Sequence, residues 1–116
     1  MRVTRISANL PVDDIASARS FYTDYLGLDV GFDLGWVANF HPPGNSATAV
    51  QLVTGDASAP VDSNISVGVS DVEEAYRLAV ERGYEVVHPL TTEPWGPTRF
   101  FVRAPGGEVV NVVGHD

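Results

Sequence analysis

Trp95 stands in Glu93-Pro94-Trp95-Gly96, a rigid turn that leads into the strand-like run from Arg99 to Arg103. Trp36 and Phe40 lie in an earlier strand-like run, and aromatic faces of this kind suit stacking on a flat ligand, with cation–π attraction for a charged one. The same rings could equally be core or interface anchors. The three histidines, His41, His88 and His115, are separated by 47 and 27 residues, which fits no short ligand motif. They precede prolines or stand beside the terminus, so turn or surface roles are expected of them, and His41 is the one placed to line a cup mouth. Glu93 and Arg99 flank Trp95 and Asp33 sits in an early strand, yet no nucleophile–base pair or close pair of carboxylates is visible. Most of the acids read as solvated.

Composition narrows the chemistry further. The chain has 116 residues, one domain's worth, with no cysteine and hence no disulfide, thiolate zinc site or thiol nucleophile. All 7 basic residues are arginine, which removes Schiff-base chemistry and a P-loop lysine. With 15 Asp+Glu and a net charge of −8, binding to a phosphate backbone is disfavoured and no nucleic-acid partner is expected. Met1 to Asp14 alternates polar and apolar residues without a continuous apolar run, so neither a signal peptide nor a membrane span is expected, and a cytoplasmic protein is.

The elements that would position these residues come in two copies. Val12-Asp-Asp-Ile-Ala-Ser-Ala18 and Val69-Ser-Asp-Val-Glu-Glu-Ala75 align at an offset of 57. Before the first, Ile6, Ala8 and Leu10 alternate with Ser7, Asn9 and Pro11; before the second, Ile65, Val67 and Val69 alternate with Asn64, Ser66 and Gly68, and both read as strands. Asp14 and Asp71 are placed as N-caps, and Glu74 completes a capping box with Asp71. Ile15, Ala18, Phe21, Tyr22, Tyr25 and Leu26 form one helical stripe, Val72, Ala75, Tyr76, Ala79 and Val80 another, with Gly27 and Gly83 as stops. Strand-like runs follow over 29–34, 36–41 and 48–54, then 85–88, 99–103 and 109–113. Residues 55–63 are small and polar with Pro60, and read as a linker between a first unit over about 1–54 and a second over about 64–116. Each half reads as strand, helix, then two or three strands, and the expected class is α+β, one domain of two similar units whose sheets share a concave face.

The segments LPVDDIASARSFYTDYLGL (10–28) and PWGPTRFFVRAPGGEVVN (94–111) resemble the vicinal oxygen chelate superfamily, which includes glyoxalase I, extradiol dioxygenases, fosfomycin resistance enzymes and bleomycin-binding resistance proteins. The resemblance implies paired βαβββ modules forming a cupped mixed sheet, commonly in a homodimer, and in its enzymes a divalent metal held by four side chains. Those positions fall on Ser7, Gln51, Asn64 and Asn111. None is His, Asp or Glu, and four neutral amide or hydroxyl groups supply neither basicity nor charge to a first-row ion. No metal and no other cofactor is therefore expected. The four can instead hydrogen-bond a ligand, or satisfy one another in a closed core.

By similarity to the bleomycin-binding members, Trp95 would line the ligand groove with Trp36 and Phe40 as an opposing wall, and Ser7, Gln51, Asn64 and Asn111 would supply polar contacts. The leading expectation is a metal-independent protein that sequesters a planar or cationic small molecule, such as an antibiotic or other natural product. The alternatives are an enzyme of the glyoxalase or dioxygenase kind, a metal-free isomerase or lyase, and a small partner-binding domain whose cup is filled.

Overall fold

The chain, seen in a computed structural model, is described over residues 1–114, so His115 lies outside the described residues. The element order is β1 (Val3–Pro11), α1 (Ile15–Ser20) running directly into a π-helical turn (Phe21–Tyr25), β2 (Asp29–Asp33), β3 (Val37–His41), β4 (Thr48–Val53), β5 (Ile65–Val69), α2 (Val72–Glu81), β6 (Glu85–Thr92), β7 (Thr98–Arg103) and β8 (Val109–Gly114). The strands form one eight-stranded mixed sheet in the order β2-β3-β4-β1-β5-β8-β7-β6. β1 runs parallel to β4 and β5 parallel to β8, while β1 and β5 pair antiparallel at the centre. Strands β1–β4 make one half of the sheet and β5–β8 repeat their order in the other.

Both helices start where the sequence places them. The Asp14 carboxylate accepts from Ala16 N at 3.3 Å and that of Asp71 from Glu74 N at 3.0 Å, each satisfying a first-turn donor. Only half of the expected capping box forms, because the Glu74 carboxylate turns to the amino terminus of Met1 at 3.1 Å. Gly27 and Gly83 end the helices with φ of 72° and 75°, the left-handed region open to glycine.

Each helix covers one half of the outer sheet face. Ile15 packs with Ala38, Phe40 and Leu52, joined by Ala18 and Tyr22; Val72, Ala75 and Ala79 pack with Val69, Phe100 and Val112. The stripe expected on the first helix divides, because the π-turn hydrogen bond from Leu26 N to Phe21 O widens the coil and leaves Phe21, Tyr25 and Leu26 exposed. β6 continues through Pro89, which falls where its pairing with β7 lapses on an edge strand and no ladder donor is lost. Among the described residues no helix is long and apolar enough to cross a membrane.

Candidate functional site

The inner face of the sheet is polar where the outer face is apolar. Strand alternation turns Arg5, Asn9, Gln51, Ser66 and Asn111 inward, and they line a cavity of about 260 Å³ that draws on both halves of the sheet. The amides there form a string: Asn39 Nδ2 donates to Gln51 Oε1 at 3.1 Å, Gln51 Nε2 to Asn9 Oδ1 at 2.8 Å, and Asn9 Nδ2 to Ser66 Oγ at 3.0 Å. From the other side Asn111 Nδ2 donates to the same Ser66 Oγ at 3.1 Å. Asn111 Oδ1 is buried with no partner.

The opposite rim is organised by Arg99, 1 % exposed on β7. Its guanidinium donates to Glu93 Oε2 through Nε at 2.9 Å and Nη2 at 2.6 Å, and to Asp56 through Nη1 at 2.7 Å and Nη2 at 3.1 Å. It is also sandwiched between rings, 5.0 Å from the Trp95 centroid and 4.9 Å from that of Phe101. Burial alone would raise the Asp56 pKa; the hydrogen bonds and charge of Arg99, with help from Ser58, outweigh it and hold the carboxyl below its ordinary value. Ser58 Oγ accepts from Trp95 Nε1 at 3.0 Å and from Arg99 Nη2 at 3.0 Å, so the segment between β4 and β5 is tied to the rim.

Of the residues singled out from the sequence, Trp36, Trp95, Gln51 and Asn111 meet on the cavity wall. The two indoles do not oppose each other across a slot: their centroids are 5.1 Å apart at 83°, edge to face, so a ligand ring has only their outward surfaces to lie on. Phe40 belongs to the other side of the sheet, where it is fully buried and stacks on Tyr22 at 5.6 Å. Asn64 is exposed, and its Oδ1 accepts from Val109 N at 2.8 Å. Ser7 is buried on the inner face opposite Ala49 and Ser66 but lies off the cavity wall. The wall positions are instead Asn9 and Ser66, two residues further along each strand and related by the same offset of 57. That repeat offset, applied to every polar residue of the two strands, is the signal that finds them.

Three more residues depart from expectation. Glu93 is buried rather than solvated, and His88 is enclosed beside it, Nε2 to Oε2 3.4 Å, instead of lying on the surface. His41 stays off the wall and its Nδ1 sits 2.9 Å from Pro42 O. Arg5, which the sequence does not single out, lines the cavity with its Nε buried and unpartnered.

The family described as Glyoxalase/Bleomycin resistance protein/Dioxygenase superfamily matches residues 3–112. The chain belongs to this superfamily. Solved structures of similar fold carry diverse names. One is an NAD-dependent benzaldehyde dehydrogenase from Legionella pneumophila (TM-score 0.76, 16 % identity, covering 96 % of this chain and 99 % of that one). Others are a glyoxalase/bleomycin resistance protein/dioxygenase superfamily member from Vibrio splendidus 12B01 (0.63, 20 %, 97 % and 98 %) and methylmalonyl-CoA epimerase from Mycobacterium tuberculosis (0.67, 18 %, 98 % and 87 %). At these identities the likeness shows the fold alone. No curated protein matches the chain.

The metal that the superfamily's enzymes hold does not fit this member. Of the four positions the resemblance assigns to it, Asn64 and Ser7 are off the cavity wall, while Gln51 Oε1 is already engaged by Asn39. No group of three or more His, Asp or Glu side chains is gathered for an ion among the described residues. What the wall offers is neutral hydrogen bonding, two indole surfaces, the guanidiniums of Arg5 and Arg99 and the carboxylates of Asp56 and Asp62.

Proposed function

We propose that this superfamily member binds a small planar molecule in the cavity by stacking and hydrogen bonding, with no divalent ion as intermediary. The amide string from Asn39 to Ser66 carries the reading: its Gln51, Asn9 and Ser66 stand on the wall where an ion-binding site would need charged or imidazole donors, and the amide oxygens of Gln51 and Asn9 are engaged by their neighbours. The volume of about 260 Å³ lies below the range of about 300–1,000 Å³ usual for drug-sized ligands, which favours a compact molecule of one or two rings over a large natural product. Support for a cationic ligand is weakened, because one guanidinium already lies over the Trp95 ring and pairs with Asp56. Trp36 and Trp95 both line the cavity, so ligand entry should shift the emission of the protein's only two tryptophans.

Titration of a panel of one- and two-ring compounds, followed by tryptophan emission and calorimetry, tests this. Saturable one-to-one binding that weakens at least about tenfold in Trp95→Ala, for the loss of one aromatic contact, is expected. Calorimetry with zinc, manganese and nickel salts should show no stoichiometric uptake, and ligand affinity should be unmoved by chelator. Tight one-to-one uptake of any of these ions, lost on Gln51→Leu, would overturn the reading.

A further inference from the structure

Arg5 differs from every other arginine of the chain. Arg19, Arg77, Arg99 and Arg103 pair with Asp33, Glu81, Asp56 with Glu93, and Glu85. Arg2 and Arg82 are exposed and hydrated by the solvent. Arg5 is half-buried on β1, its guanidinium makes no hydrogen bond or ion pair among the described residues, and its Nε is shut away from solvent. Burial lowers its pKa, but a guanidinium is not deprotonated in proteins, so the charge persists on the wall. In a chain with 15 acidic residues, a half-buried cation left unpaired beside a cavity is a binding group waiting for an anion.

A second observation lies on the same wall. Asn111 is 8 % exposed, donates through Nδ2 to Ser66, and leaves Oδ1 without a donor. A buried acceptor left in this way is satisfied when a ligand brings an N–H or O–H. The ligand's charge is limited by the rest of the wall: Arg99 is already engaged by Asp56 and Glu93, Asp62 is not paired with a cation among the described residues, and Arg5 is the only guanidinium there left uncompensated. One negative charge is accommodated; a second would face Asp62.

Resting on the binding role argued above, we propose that the ligand is a small aromatic monocarboxylate, held with its carboxylate on Arg5 and presenting a hydrogen-bond donor to Asn111 Oδ1. Calorimetry with three para-substituted phenols, the anionic 4-hydroxybenzoate, the neutral 4-hydroxybenzamide and the cationic tyramine, separates this from the broader reading. The carboxylate should bind at least about tenfold more tightly than the amide, and tyramine weakest, since a charge-assisted hydrogen bond is worth more than a neutral one. Arg5→Gln should abolish the preference for carboxylate over amide, and Asn111→Leu should weaken the carboxylate and the amide alike. Arg5→Gln should also melt no lower than the parent, because it removes an unpaired, partly desolvated charge; a role in folding alone would lower the melting temperature instead. Equal affinity for carboxylate and amide, a preference for tyramine, or a carboxylate preference that survives Arg5→Gln overturns the inference and leaves the binding role standing. Failure of all three compounds to bind overturns the inference; failure of the whole ring panel overturns the binding role with it.

Discussion

Arg99 carries its charge at 1 % exposure because every direction around it is answered: carboxylates from Glu93 and Asp56 at its edge, Ser58 beside them, and rings of Trp95 and Phe101 on its faces. Removing one partner from such a group leaves a buried charge uncompensated, which costs about 3–5 kcal/mol where the pair is fully enclosed. Asp56 turns this into a pH dependence of known sign. Its folded pKa is depressed below the ordinary value of an aspartate, so the stability it adds is fully present above that value and is lost as pH falls through the lower folded one. The gap in urea midpoint between the parent and Asp56→Asn should therefore hold steady from neutrality to about pH 5 and close in stronger acid; a gap unchanged down to about pH 2 would count against the pairing. Trp36, Trp95, Gln51 and Asn111 were legible as wall residues from strand alternation and family resemblance together. Asn9 and Ser66 were missed in favour of Ser7 and Asn64 because a period of two assigns a face but not a height along the strand. Arg5 goes unnoticed, and Arg99 is noted beside Trp95 without a role, because nothing in a sequence distinguishes a paired cation from a free one.

At the scale of elements, local chemistry decides where the chain turns. The Asp71 carboxylate takes the Glu74 amide at 3.0 Å, and Asp71→Ala should lower stability by about 1 kcal/mol in chemical denaturation without altering affinity in the cavity. The caps, the glycine stops and all eight strands could be read in advance, since each rests on a residue type acting within a few positions of itself. The π-helical turn and the splitting of the first apolar stripe could not be. They depend on how Tyr22 settles on Phe40, a contact set by strand β3 being beneath the helix. The length of β6 was underread for a similar reason, because Pro89 breaks a strand everywhere except at an edge or an irregularity, and only the sheet order shows that β6 is one.

For the molecule as a whole, the sheet sorts side chains into two populations. Even-numbered Phe40 and Phe100 go to the outer face under the helices, whereas Phe101 and Arg99 go inward. Phe40→Ala should cost about 3–5 kcal/mol in unfolding free energy and leave the ligand affinity of the folded fraction within about twofold, the reverse of what a wall residue would do. Antiparallel pairing of β1 with β5 sets the two halves side by side, so Gln51 of one and Asn111 of the other reach the same cavity within a single chain. The amides that join them all point one way, N–H after N–H from Asn39 through Gln51 and Asn9 to the oxygen of Ser66. Rotating a single member end for end would set two hydrogens face to face on one side and two oxygens on the other, so the string reverses as a unit or not at all. Ser66, already receiving from Asn9 and from Asn111, keeps one hydrogen of its own to give away. A guest that claims it tugs on a row of dipoles extending to Asn39, three strands off, and the side-chain amide resonances of Asn39 should record its arrival at a place it never touches.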